Sequence, residues 1–243
     1  AFGIIGSAMM PISDLFPQAG ITFWDAAHEC NAGMMADGFT RATGKMSMMV
    51  AQNGPGITNF VTPVKTAYWN HTPLLLVTPQ AANKTLGQGG FQEVEQMALF
   101  KDMVAYQEEV RDPTRIAETL NRVILQAKRA SAPAQINIPR DFWTQVIDIE
   151  LPAIVDFERP SGGEDAISQA AALLSDAKFP VLLNGAGVVI GGAIDASMRL
   201  AERLDAPVCC GYQHNDAFPG SHPLFAGPLG YNGSKAGMEL IAK

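Results

Sequence analysis

The feature that most constrains this chain is a set of short runs with almost no polar alternation, spaced between longer amphipathic stretches. Residues 46–52 (MSMMVAQ) and 74–78 (LLLVT) are too apolar to keep one face in water, and 21–25, 104–108 and 134–138 are further expected strands of five residues each. Strands buried on both faces belong to parallel sheets. Stretches with helical periodicity at 27–43, 57–70 and 113–130 fall between them. That β-α-β-α order predicts an open α/β sheet covered by helices on both sides. The pattern breaks after Pro139-Arg140-Asp141, and residues 151–163 (LPAIVDFERPSGG) gather Pro, Gly and charge as a linker does. We therefore expect a first domain over 1–150, a linker over 151–163 and a second α/β domain over 164–243. In the second, helices are expected at 164–177 and 193–204 and strands at 180–184 and 207–210.

Composition removes several function classes. The 243 residues are 47% hydrophobic and 17% charged, which is ordinary for a globular chain. A net charge of −7 without any basic run lacks the electrostatic footprint of a nucleic-acid binder. No apolar run approaches the ~20 residues that span a bilayer, so no membrane partner is expected. Cys30, Cys209 and Cys210 are odd in number and lack CxxC spacing. A reduced, cytoplasmic setting is expected. The chain opens on Ala1-Phe2-Gly3-Ile4-Ile5 without an initiator Met, and we expect it to be part of a longer protein.

Ligands of open α/β sheets bind beyond the carboxyl ends of the strands. His28-Glu29 lies at such a junction, after the expected strand 21–25. Taken alone, Glu29 equally reads as a first-turn acid complementing a helix dipole. Gly54-Pro55-Gly56 likewise reads as a tight turn with Pro at the first helical position. Gly185-Ala186-Gly187 is a weak dinucleotide fingerprint, because Ile190 stands at the third glycine position, and a structural turn is expected there. The histidines His28, His71, His214 and His222 form no close ligand pair, and no metal site is expected within this chain.

Three ordered motifs change the weighting. They are HECNAGMMADGFTRATG over 28–44, NGPGITN over 53–59 and Phe91-Gln92-Glu93. Together they resemble the pyrimidine-binding domain of thiamine-diphosphate enzymes, in the acetohydroxyacid synthase and pyruvate oxidase branch. The resemblance continues through INIPRD at 136–141 to His222-Pro223-Leu224, so it covers nearly the whole chain. Within that branch, QAANK at 80–84, GQGGFQEVEQ at 87–96 and the stretch 212–233 look like the sulfoacetaldehyde acetyltransferases.

The resemblance implies a parallel-sheet pyrimidine-binding domain followed by a partial, Rossmann-like central domain. It implies Glu29 as the catalytic residue that activates thiamine diphosphate, and Pro55, Asn59 and Gln92 as cofactor-binding residues. Gly6, Ser7 and His28 are implied near the substrate. The cofactor's diphosphate and Mg²⁺ would be bound mainly by a later segment absent from this chain. The implied reaction converts sulfoacetaldehyde and phosphate to acetyl phosphate and sulfite, in a homodimer or homotetramer. The motif-bearing helices carry more large apolar residues (Met34, Met35, Phe60, Tyr68 and Trp69) than one sheet face needs to cover, and some of them would then meet a partner subunit. Two alternatives remain at this point: a 2-oxo acid condensing enzyme like acetohydroxyacid synthase, and a non-catalytic nucleotide- or flavin-binding α/β module around Gly185–Gly192.

Overall fold

The computed structural model describes residues 1–153, 157 and 160–242. The chain divides into two units, Ala1–Glu158 and Arg159–Lys243. Of the linker expected over 151–163, residues 154–156, 158 and 159 lie outside the described residues.

In the first unit the strands are β1 (Phe2–Ile4), β2 (Trp24–Asp25), β3 (Ser47–Ala51), β4 (Leu74–Gln80), β5 (Tyr106–Glu109) and β6 (Ala134–Pro139). They form one sheet in the order β2-β1-β3-β4-β6-β5, and every neighbouring pair is parallel. The helices are α1 (Met10–Ser13), α2 (Glu29–Thr43), α3 (Pro55–Thr58), α4 (Val61–Trp69), α5 (Gln96–Phe100) and α6 (Ile116–Ala130).

The two-residue repeat of a strand sorts the apolar runs onto two cores. Met49, Ala51, Leu74 and Leu76 face Ala32, Ala36, Phe60, Val64 and Phe100 of α2, α4, α5 and the turn before α4. Val50, Leu75, Val77, Ile136 and Ile138 face Val123 and Ala127 of α6 on the other side. The fully apolar runs of β3 and β4 follow from this double coverage. β6 departs from it on one side: Gln135 and Asn137 are buried and point away from the α6 core.

Several elements differ from the sequence expectation. The strand expected over 21–25 contracts to Trp24–Asp25, an edge strand with both residues exposed, because only β1 pairs with it. The helix expected from 27 starts at Glu29, because His28 is extended and caps it. The helix expected over 57–70 is two helices, α3 and α4, separated at Asn59 and Phe60. Pro63 accounts for this: it has no N–H to continue a helix through Asn59, but is tolerated in the first turn of a new one. The start of the helix expected over 113–130 is a 3₁₀ turn, Pro113–Arg115, capped by the Asp112 carboxylate.

In the second unit β7 (Leu182–Asn184), β8 (Val208–Gly211) and β9 (Phe225–Leu229) form a parallel three-stranded sheet. Its helices are α7 (Glu164–Asp176), α8 (Ala186–Ile190), α9 (Ile194–Leu204) and α10 (Lys235–Ile241). The turn expected at Gly185-Ala186-Gly187 is the start of α8, with Gly185 extended at its N-cap. Cys209 and Cys210 are fully buried free thiols, and burial pushes Cys210 up to about 11. Among the described residues no helix is long and apolar enough to cross a membrane.

Candidate active site

The carboxyl ends of β1 and β3 carry the loops at 5–9 and 52–54, and the segment 86–95 reaches the same place. His28 sits at the start of α2 and accepts the Cys30 N–H at 3.1 Å through Nδ1, leaving four free helix N–H groups one fewer. In the neutral ring the proton is therefore on Nε2, which points elsewhere. Glu29 follows as the first residue of α2. It is half-buried, and its Oε2 accepts from Asn59 Nδ2 at 2.9 Å. Its Oε1 has no protein partner among the described residues.

Gly56 makes room for that carboxylate. A Cβ there would stand 3.2 Å from Glu29 Oε1, 3.1 Å from Ala51 Cβ and 3.3 Å from Gln52 Cβ. Gly54 is required for a different reason: its φ is +71° and a Cβ would fall 2.5 Å from the Gln92 carbonyl oxygen. Pro55 is exposed at the first position of α3, and its carbonyl accepts the Asn59 N–H at 3.2 Å. The break between α3 and α4 thus leaves Asn59 at the end of a short helix, aimed at Glu29.

A polar web ties these loops to the sheet. Gln52 Oε1 accepts the Ala8 N–H at 2.9 Å, and its Nε2 donates to Asn53 Oδ1 at 2.7 Å and to Gln92 Oε1 at 2.8 Å. Asn53 Nδ2 donates to the Gln92 carbonyl at 2.9 Å. Gln92 itself is held at φ +58°, a left-handed conformation that costs a non-glycine residue energy unless its surroundings enforce it. The Gly54 N–H donates to Gln96 Oε1 at 3.1 Å, and Gln96 Nε2 donates to the Pro79 carbonyl and to Asn137 Oδ1. Thr78 Oγ1 donates to Asn137 Oδ1 at 2.6 Å, and Asn137 Nδ2 donates to Glu109 Oε2 at 2.8 Å. Asn53, Thr78, Gln96 and Asn137 are buried, and each would be costly to leave unpaired; Gln52, Gln92 and Glu109 are half-buried.

Glu29 and Asn59 are therefore brought into direct contact, with Pro55 one turn away. Gln92 joins them through Gln52, as does Gly6, where a Cβ would fall 2.2 Å from Gln52 Oε1. Ser7 is exposed on the same loop and His28 turns its ring to the helix end. Gln52, Asn53, Gln96 and Asn137 were not singled out in the sequence. The available signal was the polar residues Thr78, Gln135 and Asn137 inside otherwise apolar strands.

A cavity of about 850 Å³ lies beside this cluster, lined by Gln80, Glu93, Glu95, Glu109 and Arg111 among others. Its acids are largely engaged within the chain: Glu93 accepts the Gly87 and Gly90 N–H groups, Glu109 accepts from Asn137, and Arg122 holds Glu108. Neither Glu29 nor Asn59 lines it. Among the described residues no group of three or more His, Cys, Asp or Glu side chains is placed to hold a metal ion.

The match to known proteins decides the family. Residues 1–99 match the thiamine pyrophosphate enzyme N-terminal TPP-binding domain, and residues 167–243 match the central domain of the same enzymes. The chain belongs to the thiamine pyrophosphate enzyme family. Over its whole length this family member is 85% identical to the sulfoacetaldehyde acetyltransferase of Roseovarius nubinhibens and 74% identical to that of Rhodobacter capsulatus. It spans 40% and 41% of those two proteins. Among solved structures, the benzoylformate decarboxylase of Polynucleobacter necessarius matches 93% of the chain and 43% of its own, with a TM-score of 0.86 at 26% identity.

Proposed function

We propose that this chain, within a protein of its relatives' length, converts sulfoacetaldehyde and phosphate to acetyl phosphate and sulfite. It would supply the half-site that activates thiamine diphosphate. The observation that carries this reading is the Glu29–Asn59 pair set against Gly56, at the carboxyl ends of β1 and β3. The donor set fits the cofactor: a carboxylate with one oxygen free of protein partners among the described residues, a glycine whose lack of a Cβ leaves that oxygen uncovered, and the amides of Asn59 and Gln92. Glu29, Pro55, Asn59 and Gln92 would hold the aminopyrimidine. When bound, thiamine diphosphate supplies a carbon nucleophile and an electron sink for bond cleavage next to the aldehyde carbon.

The chain's own contribution is proton handling and orientation. Asn59 occupies Glu29 Oε2, so Oε1 is the oxygen that takes up or releases a proton. Gly6, Ser7 and His28 border the region where substrate would sit. The overall chemistry balances without an external oxidant: the C–S bond breaks, sulfur leaves with the electron pair as sulfite, the CH₂ becomes CH₃ and the aldehyde carbon becomes an acyl group on phosphate. Mg²⁺ and the cofactor's diphosphate would be bound by a segment outside this chain.

A homodimer or homotetramer is part of the same proposal. Trp69, Met34 and Met35 are exposed on the motif-bearing helices, and Tyr68 is half-exposed. Phe60 does not belong to that surface: it is fully buried in its own domain, because the turn before α4 directs it onto Gly33 and the sheet. Free thiols at Cys30, Cys209 and Cys210 suit a reducing cytoplasmic setting.

The test is phosphate-dependent release of sulfite from sulfoacetaldehyde by the full-length enzyme, with acetyl phosphate measured in parallel. Condensation of 2-oxo acids with no sulfite release would replace this reading with the acetohydroxyacid synthase one. A flavin spectrum in catalytically silent protein would favour the binding-module reading.

A further inference from the structure

Gln52 closes β3 with a side chain that touches three segments at once. One end accepts the Ala8 N–H at 2.9 Å; the other donates to Asn53 Oδ1 at 2.7 Å and Gln92 Oε1 at 2.8 Å. The two ends of a carboxamide look alike in shape, so their assignment must follow from partners whose chemistry is unambiguous. A backbone N–H only donates, so the atom facing Ala8 is oxygen and the opposite one is the NH₂ group. Asn53 is oriented independently, because its Nδ2 faces the Gln92 backbone carbonyl, which only accepts. Both constraints agree. The atom of Gln92 that meets Gln52 Nε2 must then be its oxygen.

The consequence concerns the far side of Gln92. With Oε1 engaged, its NH₂ group has two donor hydrogens and no partner among the described residues. Gln92 is half-buried, and its left-handed backbone at φ +58° is held by Asn53 and packed against Gly54. The donor group is therefore fixed in direction.

We propose that Gln52 is a positioning and specificity-determining residue: it locks the Gln92 carboxamide so that a pure donor group faces the substrate's sulfonate. A sulfonate offers three acceptor oxygens and no donor, so a carboxamide free to flip would present its oxygen part of the time and repel it. This inference rests on the proposed function for the identity of the substrate.

The experiment uses the full-length enzyme with Gln52→Glu, Gln92→Met and the double variant. In Gln52→Glu one carboxylate oxygen keeps the Ala8 N–H, while the other meets the acceptors Gln92 Oε1 and Asn53 Oδ1. Relief comes when the Gln92 carboxamide turns over and its oxygen faces the substrate. We expect KM for sulfoacetaldehyde, and the Kd of 2-hydroxyethanesulfonate by calorimetry, to rise about tenfold or more, the range for a lost hydrogen bond to a charged group.

Gln92→Met should raise the sulfonate Kd to the same extent. Adding Gln52→Glu to it should then do nothing more, because both act through one NH₂ group. A charge effect of the new carboxylate would instead persist in the double variant, and such additivity overturns the proposal. So does an unchanged sulfonate Kd in a folded Gln52→Glu or, if that variant misfolds, in Gln92→Met. Wild-type enzyme that releases no sulfite sinks the proposed function, whereas the sulfonate titration reads Gln52 separately.

Discussion

Replacing Glu29 by Gln separates the proton-handling role of this residue from its structural one. Asn59 Nδ2 stands 2.9 Å from Glu29 Oε2, and with Asn59 kept in this orientation the oxygen of Gln takes that position. Its NH₂ group would then occupy the place of Oε1, beside Gly56. A group that can only donate would replace one that can take up a proton. The structural loss is small: a hydrogen bond to a charged group (about 1.5–3 kcal/mol) becomes a neutral one (about 0.5–1.5), a difference of roughly 1 kcal/mol. In a protein of this size that is a Tm change of about 2–4 °C. The catalytic loss is that of a positioned acid–base group, about 10²–10⁴-fold in turnover. In the full-length enzyme, sulfite release should fall by at least about a hundredfold while thiamine diphosphate binding by calorimetry stays within about threefold. Release within tenfold of wild type would refute the assignment of Oε1 as the working atom, and so would loss of the fold.

Gly56→Ala would press a methyl group against Glu29 Oε1, Ala51 and Gln52 at 3.1–3.3 Å; turnover should fall about tenfold or more with a destabilisation of about 1–3 kcal/mol, read by activity and thermal melting. Gly54→Ala combines a positive φ with a Cβ 2.5 Å from the Gln92 carbonyl, and should cost about 2 kcal/mol or more in a denaturant titration. On the far edge of the sheet, the Arg122 guanidinium holds Glu108 below its ordinary 4.5, and Arg115 with Arg122 holds Glu118 at about 2. These carboxylates have depressed values in the folded state, so their stabilisation is present above pH 4.5 and is lost as pH falls toward 2. Arg122→Met should flatten the melting-temperature profile across that window, and an unaltered slope would show that the pairs contribute nothing.

What the sequence by itself determined is whatever a local period or a short motif encodes. The unbroken apolar runs of β3 and β4 could only be strands covered on both faces, and the structure shows two cores divided by strand alternation. Glu29, Pro55 and Asn59 entered only through the resemblance of their ordered motifs, since taken alone Glu29 reads as a first-turn acid and Gly54-Pro55-Gly56 as a tight turn. Element ends were less so: a capping histidine moved the start of α2, and one missing N–H at Pro63 split an expected helix. The polar web was legible only as Thr78, Gln135 and Asn137 standing in otherwise apolar strands, and its pairings were not legible. Gln52 meets Ala8 across 44 positions and Gln92 across 40, and Gln96 meets Asn137 across 41. No local pattern marks such pairs, since an isolated Gln has the same propensity whether it points to water or to another carboxamide. Only the parallel stacking of β1, β3, β4 and β6, which brings their carboxyl ends together, decides which amide faces which and which donor is left free.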